Sequence, residues 1–62
     1  MTLEQFVKLV FEDAEIIVFD EWGLVGTYKA NELLKKFNKL TRVIEITARN
    51  ENVFGISIDT YF

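Results

Sequence analysis

The sequence predicts an α+β domain with the element order α-β-β-α-β-β, in which two helices accompany a four-stranded, mainly antiparallel sheet. Three observations support this fold class. Four large apolar residues in a row, Ile16 to Phe19, stand between acidic residues. A helical pattern precedes them, and two strand-like segments with alternating apolar residues close the chain. A length of 62 residues fits one domain, 1–62.

The first element is predicted to be a helix from Leu3 to Phe11 or Glu12. Thr2 and Gln5 have the spacing of a capping box, in which each side chain accepts from the backbone amide of the other residue. The apolar residues that follow recur at the spacing of one helical face: Leu3, Phe6, Val7 and Val10.

The run from Ala14 to Asp20 predicts a central strand, because apolar side chains on both faces of a strand need neighbours on both sides. The letters D-E-W-G follow and favour a tight turn, in which Gly23 adopts the left-handed conformation. Strand 2, Leu24 to Lys29, contains Gly26 and ends on a lysine. Both features are typical of an edge strand.

A second helix is predicted from about Glu32 to Lys39, with Asn31 as its N-cap. Strand 3, Val43 to Ala48, alternates in hydrophobicity, and strand 4 begins at Val53. With strand 1 in the centre, the orders 2-1-4-3 (as in a β-grasp) and 2-1-3-4 are both possible. The first is favoured because strand 4 is the longer and more apolar of the last two.

The proposed turn also assigns side chains to the two faces of the sheet. Ile16 and Val18 are expected to face the core with Leu24, Tyr28, Ile44, Ile46, Phe54, Ile56 and Ile58. The opposite face then receives Ile17, Phe19, Val25, Val43 and Val53, with Tyr61 nearby. Monomers rarely leave such a patch in water, so either the first helix or another chain must cover it. Trp22 at the hairpin tip adds a side chain common in binding hot spots.

These residues predict a small non-enzymatic protein-interaction module, which either self-associates as a homodimer or docks on a larger protein. The chain has no His and no Cys, so imidazole and thiol chemistry, and Zn or Cu sites, are excluded. Glu12, Asp13, Glu15, Asp20 and Glu21 match no calcium loop and are expected to be solvated. No cofactor, metal or small-molecule substrate is indicated.

The alternative function is nucleic-acid binding through the second helix. The chain carries a net charge of −3, but the segment from Lys29 to Arg42 has five basic residues and one acid (+5 − 1 = +4). Its cations are Lys29, Lys35, Lys36, Lys39 and Arg42. Several cations on one face are what phosphate binding needs, yet no aromatic side chain is placed among them to stack on bases.

Several stretches together carry a resemblance to known proteins, namely E-I-I-V-F-D, G-T-Y-K-A-N-E-L-L and the closing I-E-I and F-G-I-S-I. In these the chain resembles small proteins of unknown role that are encoded by phages and prophages of Gram-positive bacteria. The resemblance implies a bacterial or phage cytoplasmic setting and no particular activity. The sequence adds that no signal peptide and no membrane span are expected, because Glu4 and Lys8 interrupt the first apolar segment and no run reaches about 20 residues.

Overall fold

A computed structural model describes residues 1–59 and shows the predicted α+β fold. Its elements are α1 (Leu3–Val7), β1 (Glu15–Asp20), β2 (Gly23–Lys29), α2 (Ala30–Lys36), β3 (Arg42–Asn50) and β4 (Val53–Asp59). The strand order is β2-β1-β4-β3, so the favoured order is confirmed. β1 runs parallel to β4, and the other two pairs are antiparallel. β1 is therefore central and β2 lies at an edge, as predicted.

Helix α1 begins as predicted but is shorter. The capping box is present: the Gln5 amide donates to Thr2 Oγ1 (3.3 Å) and the Thr2 amide donates to Gln5 Oε1 (3.0 Å). The helix ends at Val7, and Leu9 and Phe11 are 70% and 78% exposed. They lie off the buried stripe, so no packing energy offsets the cost of extending a short helix to include them.

Helix α2 begins at Ala30, directly after β2, and the predicted Asn31 cap is wrong. The Ala30 amide donates to the Ala14 carbonyl (2.8 Å) and the Asn31 amide to the Glu12 carbonyl (3.0 Å). Backbone groups of the α1–β1 connection thus satisfy the first amides of the helix, which a side-chain cap would otherwise do. The helix ends at Lys36, and Lys39 lies in the following turn, where the Leu40 amide donates to Asn38 Oδ1 (2.8 Å).

The hydrophobic core lies on one side of the sheet and contains residues from both helices. Leu3 and Phe6 of α1 and Leu33 of α2 are buried in one cluster with the alternate strand residues Ile16, Val18, Val43, Ile56 and Ile58. The Phe6 ring packs edge-on against Phe54, with 6.5 Å between the ring centroids. Because α1 and α2 cover the same face, the alternative in which the first helix covers the second face is wrong.

The second face of the sheet is therefore not covered by any element within residues 1–59. This open face carries the side chains of Ile17 and Phe19 on β1, Leu24 and Thr27 on β2, Val53 and Ser57 on β4, and Glu45, Thr47 and Arg49 on β3. Tyr61, which was assigned to this face, lies outside the described residues.

Two β-bulges alter the predicted assignment of side chains. Between Val18 and Phe19 the pairing shifts, so Leu24 lies opposite Phe19 on the open face and not in the core. Val25, the extra residue, lines a depression with Phe37 and Ile58 on the helix-covered side. Its predicted place on the open face is therefore wrong.

A second bulge lies in β3 between Val43 and Glu45. Val43 pairs with Ile58 and is only 6% exposed, so it is a core residue and its predicted place on the open face is wrong. Ile44, the extra residue of this bulge, was assigned to the core but is 63% exposed. The bulge shifts the alternation of β3 by one residue, which exchanges the faces of its first side chains.

Candidate interaction surface

The centre of the open face is formed by two side chains of the central strand. Ile17 and Phe19 are half-buried, because β2 and β4 flank them but no helix lies above them. Val53 on β4 is also half-buried, and Leu24 on β2 is 66% exposed. These four side chains give the open face an apolar centre, as predicted, although Leu24 takes the place of Val25 and Val43.

A cation covers part of this centre. The Arg49 guanidinium lies over the Phe19 ring, 5.8 Å from its centroid. It reaches β1 by crossing Gly55, where a Cβ atom would stand 3.4 Å from Arg49 Nε. A cation above an exposed aromatic ring contributes about 0.5–1 kcal/mol. Arg49 therefore shields Phe19 with a contact weak enough for a partner to replace, and sequence reasoning missed it because it depends on the bulge at Ala48/Asn50.

The hairpin tip presents the largest exposed aromatic side chain. Trp22 is 77% exposed, in agreement with the predicted position at the turn. Its amide donates to Asp20 Oδ1 (2.8 Å), and Gly23 has φ +118°, so side chain and glycine together define the turn. The backbone at the base of Trp22 is therefore fixed while its ring stays in solvent.

A shallow depression of about 430 Å³ adjoins the tip at the same end of the sheet. Four of its seven lining residues are acidic, namely Asp20, Glu21, Glu45 and Asp59. Ile44 and Ser57 line it as well. A partner that covers this end of the sheet therefore meets a predominantly acidic surface.

The acidic residues of β1 do not form one cluster. Glu12, Asp13 and Glu15 precede or begin the strand, whereas Asp20 and Glu21 lie at its other end. Within residues 1–59, no three side chains of the metal-ligating acidic types converge on one point. No helix in this part of the chain has the length and apolar character needed to span a bilayer.

The cations of the predicted nucleic-acid site lie on α2 and on the segments before and after it. Lys29 precedes α2 and its Nζ donates to the Asp13 carbonyl (3.5 Å), while Lys35 and Lys36 lie in the last turn of the helix. Lys39 lies beyond the helix and Arg42 begins β3, so the shared helical face predicted for Lys35 and Lys39 is wrong.

Comparison of the chain with protein-family models, curated proteins and solved structures gave no match.

Proposed function

We propose that the protein is a small non-enzymatic interaction module that binds another protein through the open face and Trp22. The observation that carries the proposal is the packing of α1 and α2 on the same side of the sheet, which leaves Ile17 and Phe19 without a helix above them in residues 1–59. A sheet face with an apolar centre and a polar rim has the composition of a protein-binding surface.

The size of the surface favours a non-obligate complex with a larger protein. Four strands about 4.8 Å apart and about 20 Å long present roughly 400 Å², and Trp22 adds about 200 Å². The sum, roughly 600 Å² in projection, is of the order of the about 800 Å² of accessible surface that each partner contributes to a standard interface. Obligate homodimer interfaces are larger and more apolar than this face, on which Thr27, Thr47 and Ser57 surround the apolar centre.

The acidic depression supports a protein partner over nucleic acid. Phosphate binding needs cations that converge, and the end of the sheet beside Trp22 is acidic. The phage-type resemblance is compatible with the proposal, since inhibitors encoded by phages are often small interaction proteins. Phage origin and a cytoplasmic setting stay predictions.

The test is capture from a bacterial lysate with matched variants. Phe19→Lys and Thr27→Lys place a charge on the open face, whereas Leu9→Lys places the same charge on an exposed residue of the α1–β1 connection. We expect one set of proteins to be retained by the wild type and by Leu9→Lys and lost with both open-face variants. Melting curves confirm that each variant folds.

Two results would count against the proposal. If all variants retain the same proteins, the open face is not the binding surface. If retention falls steeply with salt and nuclease treatment abolishes it, nucleic acid is the ligand. Apolar docking depends much less on ionic strength, so the salt titration separates the two classes of partner.

A further inference from the structure

The free part of the β3 edge has a self-complementary sequence. Strand β3 ends the sheet, so one side of its backbone has no neighbouring strand in the same sheet. The chain's own first residues cover the beginning of that edge: Thr2 bridges to Arg42, and the Val43 amide donates to the Met1 carbonyl (2.8 Å). From Ile44 to Asn50 nothing in residues 1–59 pairs with the outer side of β3.

The ladder of β4 shows which groups of β3 point outward. The Glu15 amide donates to the Asn52 carbonyl, so in the parallel β1–β4 pair the backbone groups of Asn52, Phe54 and Ile56 point toward β1. The backbone groups of Ser57 and Gly55 therefore point toward β3, where they hydrogen-bond with the backbones of Glu45 and Thr47.

The residues of β3 between those bonds, Ile46 and Ala48, direct their N–H and C=O groups away from the sheet. Val43, which lies opposite Ile58, agrees with this assignment of inward and outward groups, because its amide donates to the Met1 carbonyl on the outer side of β3. The outward groups of Ile46 and Ala48 are thus available to another strand.

We propose that two copies of the chain pair antiparallel through this edge, with a twofold axis at Thr47, to form a continuous eight-stranded sheet. In this register Ile46 lies opposite Ala48 of the second copy, and four intermolecular backbone hydrogen bonds form between their outward groups. Thr47 lies opposite its own copy, a favourable cross-strand pair. On the open-face side, Glu45 of each copy lies opposite Arg49 of the other copy, so the dimer contains two such pairs.

Charge and steric fit select this register over its neighbours. A twofold at Glu45 places two glutamates opposite each other, and one at Ala48 places Glu45 opposite Glu51. A twofold at Ile46 extends the partner strand to the position opposite Arg42, which Thr2 occupies. The register centred on Thr47 avoids both conflicts. In exchange, Arg49 leaves Phe19, and the cross-strand ion pair compensates for the lost contact because the two interactions are of similar strength.

The test is a charge swap measured by sedimentation equilibrium at low salt. Glu45→Arg gives a chain with arginines at positions 45 and 49, and Arg49→Glu gives a chain with glutamates at both. Each variant alone places two like-charge pairs in its dimer, and we expect at least about tenfold weaker dimerisation. An equimolar mixture of the two variants should restore association as a heterodimer, and the double variant should return to within about threefold of the wild type.

The controls separate a cross-strand pair from other effects of charge. Glu51→Arg makes the same charge change in the β3–β4 turn and should leave dimerisation within about threefold of the wild type. The contact between Arg49 and Phe19 is absent from both Arg49→Glu and the double variant, so rescue by the double variant cannot come from that contact. A wild-type monomer at about 0.5 mM, unweakened single variants, or a mixture that stays monomeric would each overturn the proposal. The dimer depends on the outward backbone groups of Ile46 and Ala48, whereas the capture experiment changes Phe19 and Thr27, so failure here leaves the capture experiment unaffected.

Discussion

Replacing Trp22 by alanine should separate binding from stability more sharply than any other change. About a quarter of the residue is out of solvent, since it is 77% exposed. For a side chain of about 200–250 Å² this is about 50–60 Å², which corresponds to at most about 1.5 kcal/mol of hydrophobic stabilisation. Part of that area is also buried in real unfolded chains, so we expect a loss of about 1 kcal/mol.

The same substitution should weaken partner binding by about 2 kcal/mol or more, which is roughly a 30-fold increase in Kd. Urea unfolding gives the stability, and binding curves on the same sample give the affinity. Phe6→Ala is the matched contrast: Phe6 is 2% exposed and contacts Phe54, so its loss should cost about 3–5 kcal/mol. A domain of 62 residues has only about 3–9 kcal/mol in total, so Phe6→Ala should remove at least about a third of the stability.

The outcome that would refute this reasoning is specific. If Trp22→Ala costs several kcal/mol of stability and leaves binding unchanged, Trp22 packs against the domain in solution. The interaction surface would then lie away from the hairpin tip.

Three further predictions concern the turn, the helix cap and the lysines. Gly23→Ala should lower the free energy of unfolding, measured with urea, by roughly 1–3 kcal/mol because Gly23 has a positive φ. Steric contact does not contribute, since no atom lies within 4 Å of the added Cβ. An unchanged midpoint would show that the turn relaxes. Thr2→Ala should lose about 1 kcal/mol by the same assay, with Gln5→Ala adding little to it because the two side chains form one motif. On immobilised DNA and RNA at low salt we expect no retention. Retention that Lys35→Glu with Lys39→Glu abolishes would establish the nucleic-acid alternative.

The sequence was sufficient to predict the element order and the position of the central strand. The run Ile16 to Phe19 is apolar on both faces, and only a strand with neighbours on both sides suits such a pattern. Gly23 and the N-cap Thr2 were identified correctly because turns and helix starts depend on local side-chain chemistry. The strand order was predicted correctly although one of its two premises was wrong: β3 has 9 residues and β4 has 7, so only the more apolar character of β4 supports its inner position.

The faces of Leu24, Val25, Val43 and Ile44 could not be predicted in the same way. A β-bulge inserts one residue into a ladder, and no residue type at these positions is specific for it. The ends of the helices were missed for a related reason. The carbonyls of Glu12 and Ala14 satisfy the start of α2, and such contacts between distant backbone groups leave no local pattern.

The location of the open face was therefore only half determined by the sequence. Alternation along β1 identified Ile17 and Phe19 as residues of the second face. Whether α1 covers that face depends on the direction in which the chain leaves Val7, which tertiary packing decides. The shielding of Phe19 by Arg49 likewise depends on tertiary structure. The Arg49 side chain passes over Gly55, which has no side chain of its own, and the bulge at Ala48/Asn50 lies at the base of Arg49.

The most direct test of the central claim uses the absence of cysteine from the chain. Thr27→Cys places one thiol on the open face, opposite Ile17, and Leu34→Cys places one on the outer side of α2, where Leu34 is 39% exposed. The rate of labelling by a thiol reagent is measured for the purified protein and again after incubation with bacterial lysate and recovery of the complex. We predict that the complex protects the thiol of Thr27→Cys and leaves that of Leu34→Cys unchanged. Equal labelling of Thr27→Cys with and without the retained partner would contradict the assignment of the open face as the binding surface.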